Sequence, residues 1–263
     1  MATGGADEAV AQRILRITDI DKEPLEYLMP ISGFAKTLLV SLEKAVEPLV
    51  DVLPDVQSYA FVAKKQCNNP ADGLTQDESA SIMLYTMGWE PLEECLYIVL
   101  NKTLRDKDRQ QKLKPWYSYV RLLLNGYMRL KPIQKTVYRG VACALSKKYI
   151  KGETIVWWGF SSCTTNIEVL QTDLFLGEKG ARTMFHLECQ NLRDIRKHSY
   201  IPNEDEMLLL PATQFEIQGV LRQGDLHIVH LKEIPSKPPL LQQIQVITPS
   251  GSVPPAGKHI LVN

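Results

Sequence analysis

The 263-residue sequence lacks any net charge, its thirty Lys and Arg residues offsetting thirty Asp and Glu. A chain so balanced has no bulk electrostatic pull toward nucleic acid or an acidic bilayer, and neither is expected as a partner. Cysteine is scarce and scattered. Cys67, Cys95, Cys143, Cys163 and Cys189 are odd in number and form no Cys-x-x-Cys pair, which suits reduced thiols and gives no zinc framework, so no metal is expected. No apolar run is long enough to span a bilayer. The opening stretch "MATGGADEAVAQR" lacks the basic-then-apolar layout of a secretory leader, and the expected setting is cytoplasmic. Also missing are the GxxxxGK[ST] and GxGxxG loops of common nucleotide sites and the GxSxG nucleophile motif. The histidines (His186, His198, His227, His230 and His259) stand beside no obvious nucleophile, and His227 and His230 read as satisfied residues of a strand. Cys163 has no neighbour in sequence that would lower its pKa.

What is present divides into two textures. Up to about Leu130, apolar residues recur at three- and four-residue spacing, as in "FAKTLLVSLEKAVEPLVDVL", which is broken at Pro48 and Pro54. "LTQDESASIMLYTM" places Glu78 three residues after Thr75, the pattern of a capping box ahead of a helix. "PLEECLYIVLNKTL" and "WYSYVRLLLNGYMRL" continue the helical style. Beyond Pro132, β-branched and aromatic runs take over: "KTVYRGV", "ETIVWWGFSS", "ARTMFHLEC", "EMLLLPATQFEIQGVL" and "LHIVHLKEI". The fold class expected is α+β. Its parts are a loose N-terminus over 1–20, a helical portion over 21–131, a strand-rich core over 132–235 and a Pro/Ser-rich linker or mobile tail over 236–263, whose apolar patches offer points of attachment.

Three local features bear on chemistry. Arg139 lies within the strand "TVYRGV", where a guanidinium is costly to bury unless an anion meets it; the alternatives are a surface-facing edge residue and a fork for phosphate or carboxylate. Gly140, next to it, would allow close approach to the backbone. "GFSSCTTN" closes the second strand with small polar side chains, either an ordinary turn or a set of hydroxyls that orients a carboxylate. "YIPNEDEMLLLP" sets Glu204, Asp205 and Glu206 against an aliphatic run. In a continuous strand Glu204 and Glu206 would share a face, with Asp205 turned to solvent.

Taken in order, these features resemble the arginine-serine-glutamate class of mono-ADP-ribosyltransferases, whose members include arginine-specific eukaryotic enzymes and bacterial toxins. "YRG" matches the first motif with Arg139; "FSSCT" is similar to the second, with Ser162 as its serine and Thr164 where a serine is common; "EDEMLLLP" resembles the Glu-x-Glu motif with Glu204 and Glu206. The likeness runs from about Thr136 to Ile234. It implies a split antiparallel β-core around an NAD cleft, with NAD as substrate. It further implies that Glu206 stabilises the oxocarbenium-like ribosyl transition state, that Ser162 holds Glu206, and that Arg139 and Gly140 bind NAD. Phe175 would pack on the nicotinamide ring. Glu204 would orient the acceptor guanidinium of a protein bearing an exposed arginine, with Tyr200 as an aromatic contact on the loop "RDIRKHSY" facing that protein. The activity implied is transfer of ADP-ribose to arginine with release of nicotinamide. Two alternatives are an NAD glycohydrolase using the same site and an inactive NAD-binding or interaction module.

Overall fold

The computed structural model describes residues 19–24, 26–171, 176–201 and 205–248. Helices occupy the first part of the chain and the sheet follows, as the change of texture at Pro132 anticipates. The helices are α1 (Leu42–Val46), α2 (Val56–Gln66), α3 (Gln76–Thr86), α4 (Leu96–Leu104), α5 (Arg109–Lys112) and α6 (Tyr117–Arg129).

The helix expected from Phe34 begins only at Leu42. The preceding backbone is engaged elsewhere: Ile31 pairs in parallel with Leu241, and the amides of Gly33 and Ala35 donate to Gln242 Oε1. After Val46 the chain tightens into a 3-10 turn over Glu47–Leu49, where Pro48 has no amide hydrogen to continue an α-helix. The capping box ahead of α3 is complete. Thr75 Oγ1 accepts from the Glu78 amide at 3.2 Å, and Glu78 Oε2 accepts from the Thr75 amide at 2.7 Å. Glu78 is buried and also accepts from Asn125 Nδ2 at 2.6 Å and from Arg129 on α6. That close crossing favours Gly126, because a Cβ there would lie a tight 3.0 Å from Glu78 Cβ. A core of Leu42, Leu49, Leu84, Leu96, Trp116 and Leu123 fills the helical lobe.

The sheet contains β1 (Ile133–Val141), β2 (Thr154–Trp157), β3 (Ser161–Thr164), β4 (Arg182–Asp194), β5 (Glu206–Leu209), β6 (Thr213–Gln223) and β7 (Leu226–Glu233), in the order β1-β3-β5-β4-β7-β6-β2. β4 also pairs with β1, and beyond the start of β1 its last residues, Arg193 and Asp194, pair with β5. The short β3–β5 pair thus branches from the main body of a single seven-stranded sheet. Pairing is antiparallel except between β4 and β7, which run parallel.

"ETIVWWGFSS" is not one strand. Its amides leave the sheet at the middle: those of Trp158 and Gly159 donate to the Glu23 carboxylate at 2.7 and 3.1 Å, and that of Phe160 donates to Asn101 Oδ1 at 2.9 Å. β3 is therefore an element of its own. "EMLLLPATQFEIQGVL" likewise breaks at Pro211 and Ala212, whose φ is +61°. The described part of the last segment is fastened rather than loose. Leu240 is buried in the helical core, Arg121 donates to the Gln245 carbonyl at 2.7 Å, and the Asn125 side chain brackets the Ile247 backbone with two bonds of 2.9 Å. Among the described residues no helix is long and apolar enough to cross a membrane.

Candidate active site

β3 and β5 are four residues each, and all eight are buried. Their alternation sorts side chains between two environments. Cys163, Met207 and Leu209 enter the β-core, while Leu208 enters the helical core. Thr164 stands opposite Glu206 and Ser162 opposite Leu208, so Ser162, Thr164 and Glu206 share the face turned to the helical lobe. There Ser162 Oγ donates to Glu206 Oε1 at 2.6 Å, and Ser199 Oγ donates to Glu206 Oε2 at 3.3 Å. Glu206 is only 3 % exposed. A carboxylate so buried is tolerable because both oxygens receive charge-assisted hydrogen bonds.

The Glu-x-Glu stretch does not behave as a continuous strand. β5 begins at Glu206, and Asp205 has φ +45°, so strand alternation cannot be extended back toward Glu204. Glu204 lies outside the described residues, as does Phe175. Asp205 is also not simply solvated: its Oδ1 accepts from Arg196 Nη1 at 2.7 Å, while Arg196 Nε and Nη2 hold Asp194 at 2.9 and 2.6 Å. An arginine nine residues upstream thereby pins the middle of the motif.

Arg139 is fully buried on β1, in register with Phe185 of β4, and its guanidinium lies 5.8 Å from the Trp157 ring centroid. The anion that meets it is Asp19, which accepts from Nη2. Asp19 Oδ2 also accepts from Arg105 Nη1 at 2.7 Å. Burial would raise the Asp19 carboxyl, but Arg105 and Arg139 outweigh it and hold the group below the usual carboxylate range. The space beside Gly140 is occupied by protein, since a Cβ there would meet Leu176 Cβ at 3.2 Å and Leu170 Cδ2 at 3.5 Å. These leucines fill the side on which a Cβ at position 140 would lie. Burial pushes the Cys163 thiol up to about 12, with Arg139 opposing and Glu206 adding to the rise, so it is not a nucleophile at neutral pH.

The loop "RDIRKHSY" is divided. Arg196, Lys197 and Tyr200 face outward, the last 37 % exposed, and the Tyr200 amide donates to Thr86 Oγ1 at 2.8 Å. His198 and Ser199 face inward and are buried. His198 Nδ1 is 2.9 Å from Ser79 Oγ on α3, and its Nε2 is 3.2 Å from Asp72 Oδ2. These inward contacts were missed in the sequence; the only signal was a serine seven positions before Glu206. Elsewhere, His230 Nε2 meets Glu188 Oε1 at 2.7 Å, but His227 Nδ1 is buried without a hydrogen bond, so only one of that pair is satisfied as expected. Among the described residues no group of three or more His, Cys, Asp or Glu side chains could hold a metal.

A cavity of about 820 Å³ is lined by Asp19, Asp21, Lys22, Lys102, Arg105, Val141 at the end of β1 and Cys143 just beyond it; Arg139, Ser162 and Glu206 are not among its lining residues. The volume suits a dinucleotide-sized ligand. Its lysines and Arg105, with Arg139 beneath Asp19, supply the cations an anionic one needs.

A model of the family described as NAD:arginine ADP-ribosyltransferase matches residues 37–238. No curated protein matches the chain significantly in sequence. Among solved structures, the eukaryotic mono-ADP-ribosyltransferase ART2.2 is similar at a TM-score of 0.56 and 18% identity, over 80% of this chain and 97% of that one. A mutant of ART2.2 in complex with NAD aligns at 0.55 and 19%, over 72% and 83%. The ADP-ribosyltransferase Vis, a toxin from Vibrio splendidus solved in complex with agmatine, aligns at 0.51 and 19%, over 71% and 86%. At these identities the structural likeness speaks for the fold, and it agrees with the helical lobe and the sheet that follows it.

Proposed function

The chain belongs to the NAD:arginine ADP-ribosyltransferase family, and from that premise we propose that it transfers ADP-ribose from NAD to an arginine side chain exposed on an acceptor protein, releasing nicotinamide. The observation that carries this reading is the Glu206 carboxylate, buried and held on both oxygens by the Ser162 and Ser199 hydroxyls. A carboxylate fixed this way costs little to reorganise when positive charge develops beside it. NAD already carries a good leaving group. The bond from ribose C1′ to the nicotinamide nitrogen breaks, its electron pair leaves with nicotinamide, and the sugar passes through an oxocarbenium-like transition state. Glu206 accepts a hydrogen bond from the nicotinamide ribose and offsets that charge. Ser162 and Ser199 keep it aimed, a supporting role. Arg139 contributes positive charge for the diphosphate. Phe175 is assigned to the nicotinamide ring.

Arginine is a poor nucleophile while protonated. Glu204 is therefore given the acceptor's guanidinium, orienting it and taking its proton as the nitrogen bonds to C1′. Tyr200 stands on the outer side of the neighbouring loop, where an acceptor protein would lie. The scattered cysteines support a reducing, cytoplasmic setting.

The test is incubation with labelled NAD and agmatine, a small guanidine, comparing wild type with Glu206→Gln and Glu204→Gln. Glu206→Gln is expected to lose both transfer and NAD hydrolysis, by roughly a hundredfold or more in kcat. Glu204→Gln is expected to lose transfer while retaining hydrolysis. Full activity in Glu206→Gln would sink the mechanism, and equal loss of both activities in Glu204→Gln would remove its separate acceptor role.

A further inference from the structure

Asp19 joins two guanidiniums from different parts of the fold, Arg105 in the wall of the cavity and Arg139 buried behind Asp19. Its Oδ1 takes Arg139 from β1, and its Oδ2 takes Arg105 from the end of α4 at 2.7 Å, with Asn101 Nδ2 added at 3.2 Å. Asp19 opens a 3-10 turn, Asp19–Lys22, that forms one wall of the 820 Å³ cavity. The turn is secured mainly at its ends: Ile20 is buried in the β-core, and Glu23 is clamped by Arg105 Nε and by the amides of Trp158 and Gly159. Arg139 has no exposed surface in this arrangement, so an anionic ligand cannot touch its guanidinium while Asp19 stays in place. Nor does the arrangement satisfy Arg105 fully, because its Nη2 is buried without a hydrogen bond, and a buried donor left unmet carries a cost.

Two guanidinium forks held by one carboxylate are a seat for a larger anion. A diphosphate carries two negative charges and enough oxygens to engage both forks at once. We propose that Asp19 occupies the diphosphate seat in the free protein, and that a dinucleotide displaces it, making the Asp19–Lys22 turn an inhibitory latch and Arg105 a diphosphate-binding residue alongside Arg139. The inference rests on the NAD reading above and adds to it the groups and the movement that admit the substrate. Asp21, on the same turn and lining the same cavity, is carried away with Asp19, which removes a second negative charge from the path of the phosphates.

The latch sets an apparent affinity lower than the intrinsic one by the fraction of molecules that are open. Binding of ADP-ribose, which carries the diphosphate but no nicotinamide, is measured on the full chain by calorimetry. Asp19→Asn is expected to bind roughly tenfold tighter than wild type, the factor for a turn closed nine times in ten, with KM for NAD falling in step. Arg105→Gln is expected to bind more weakly. Equal or weaker binding by Asp19→Asn, with wild type still binding, overturns the latch and makes Asp19 a positioning residue for Arg139. If neither ADP-ribose nor NAD binds wild type, the NAD reading itself fails and takes the latch with it. A second measurement needs no variant. Amide hydrogen exchange over residues 20–23 of the wild type is expected to quicken with ADP-ribose or inorganic pyrophosphate, and not with adenosine. Slower or unchanged exchange with both diphosphates overturns the proposal.

Discussion

At the scale of single residues, the site turns on how one buried carboxylate is held. Ser162 at 2.6 Å makes the shorter contact with Glu206 and Ser199 at 3.3 Å the longer one, so their removal should not be equivalent. Ser162→Ala is expected to lower kcat by about a hundredfold and Ser199→Ala by about tenfold, on the scale of 1.4 kcal/mol per decade, with KM for NAD nearly unchanged in both. Steady-state kinetics separates the two; a rise in KM without a fall in kcat would mean that the hydroxyls bind substrate instead of aiming Glu206. Ser162 was legible because it sits in a strand-borne motif. Ser199 was not, because its meeting with Glu206 depends on the path of a loop, and nothing in "KHSY" fixes that path.

At the scale of elements, helix α3 shows how local sequence and tertiary contact combine. The Thr75–Glu78 capping box was readable from spacing alone, since both bonds lie within one turn. What spacing could not show is that Glu78 is buried and serves Asn125 and Arg129 of α6 as well. The two halves of the box should therefore differ in weight. Thr75→Ala is expected to cost about 1 kcal/mol, the usual value of a lost cap. Glu78→Ala, which strands a buried amide and a guanidinium, should cost about 3 kcal/mol or more. Urea denaturation measures both, and equal losses would show that Glu78 acts only as a cap. The strand breaks at Trp158–Phe160 and at Ala212 belong to the same class of missed detail. In the first, the amides go to Glu23 and Asn101, partners more than fifty residues away in sequence.

At the scale of the whole molecule, His198 ties the loop before Glu206 to the helical lobe through Ser79 and Asp72. Burial holds its imidazole below the ordinary 6.5, against the pull of Asp72 and Asp194 and with the help of Lys197. Asp72 is itself held below the usual carboxylate range, its partners Lys197 and His198 outweighing burial, so it stays ionised in the window concerned. Because the unfolded chain takes up a proton that the folded one resists, the unfolded state binds more protons there, and stability rises with pH. The contribution is complete above about 6.5 and is lost as pH falls below it. The unfolding free energy from urea titrations is expected to fall as pH drops below about 6.5, by up to about 1.4 kcal/mol per pH unit for this one group. His198→Gln should flatten that part of the profile, and an unchanged slope would assign the proton elsewhere.

The sequence by itself determined the α+β class, the order of helices before strands, and the identity of Arg139, Ser162 and Glu206 as residues of interest. The first two follow from periodicity and propensity; the residues are picked out by three short motifs taken in order, through the family resemblance those motifs carry. Only the tertiary structure decided what those residues touch. It placed Asp19 on Arg139, Ser199 on Glu206, Arg196 on Asp205, and two leucines beside Gly140. Asp19 and Arg139 are 120 positions apart, and no local pattern ties an ion pair across that distance. A buried charge takes whichever opposite group the packing of distant elements delivers, and that choice is made only when the helical lobe and the sheet close on each other.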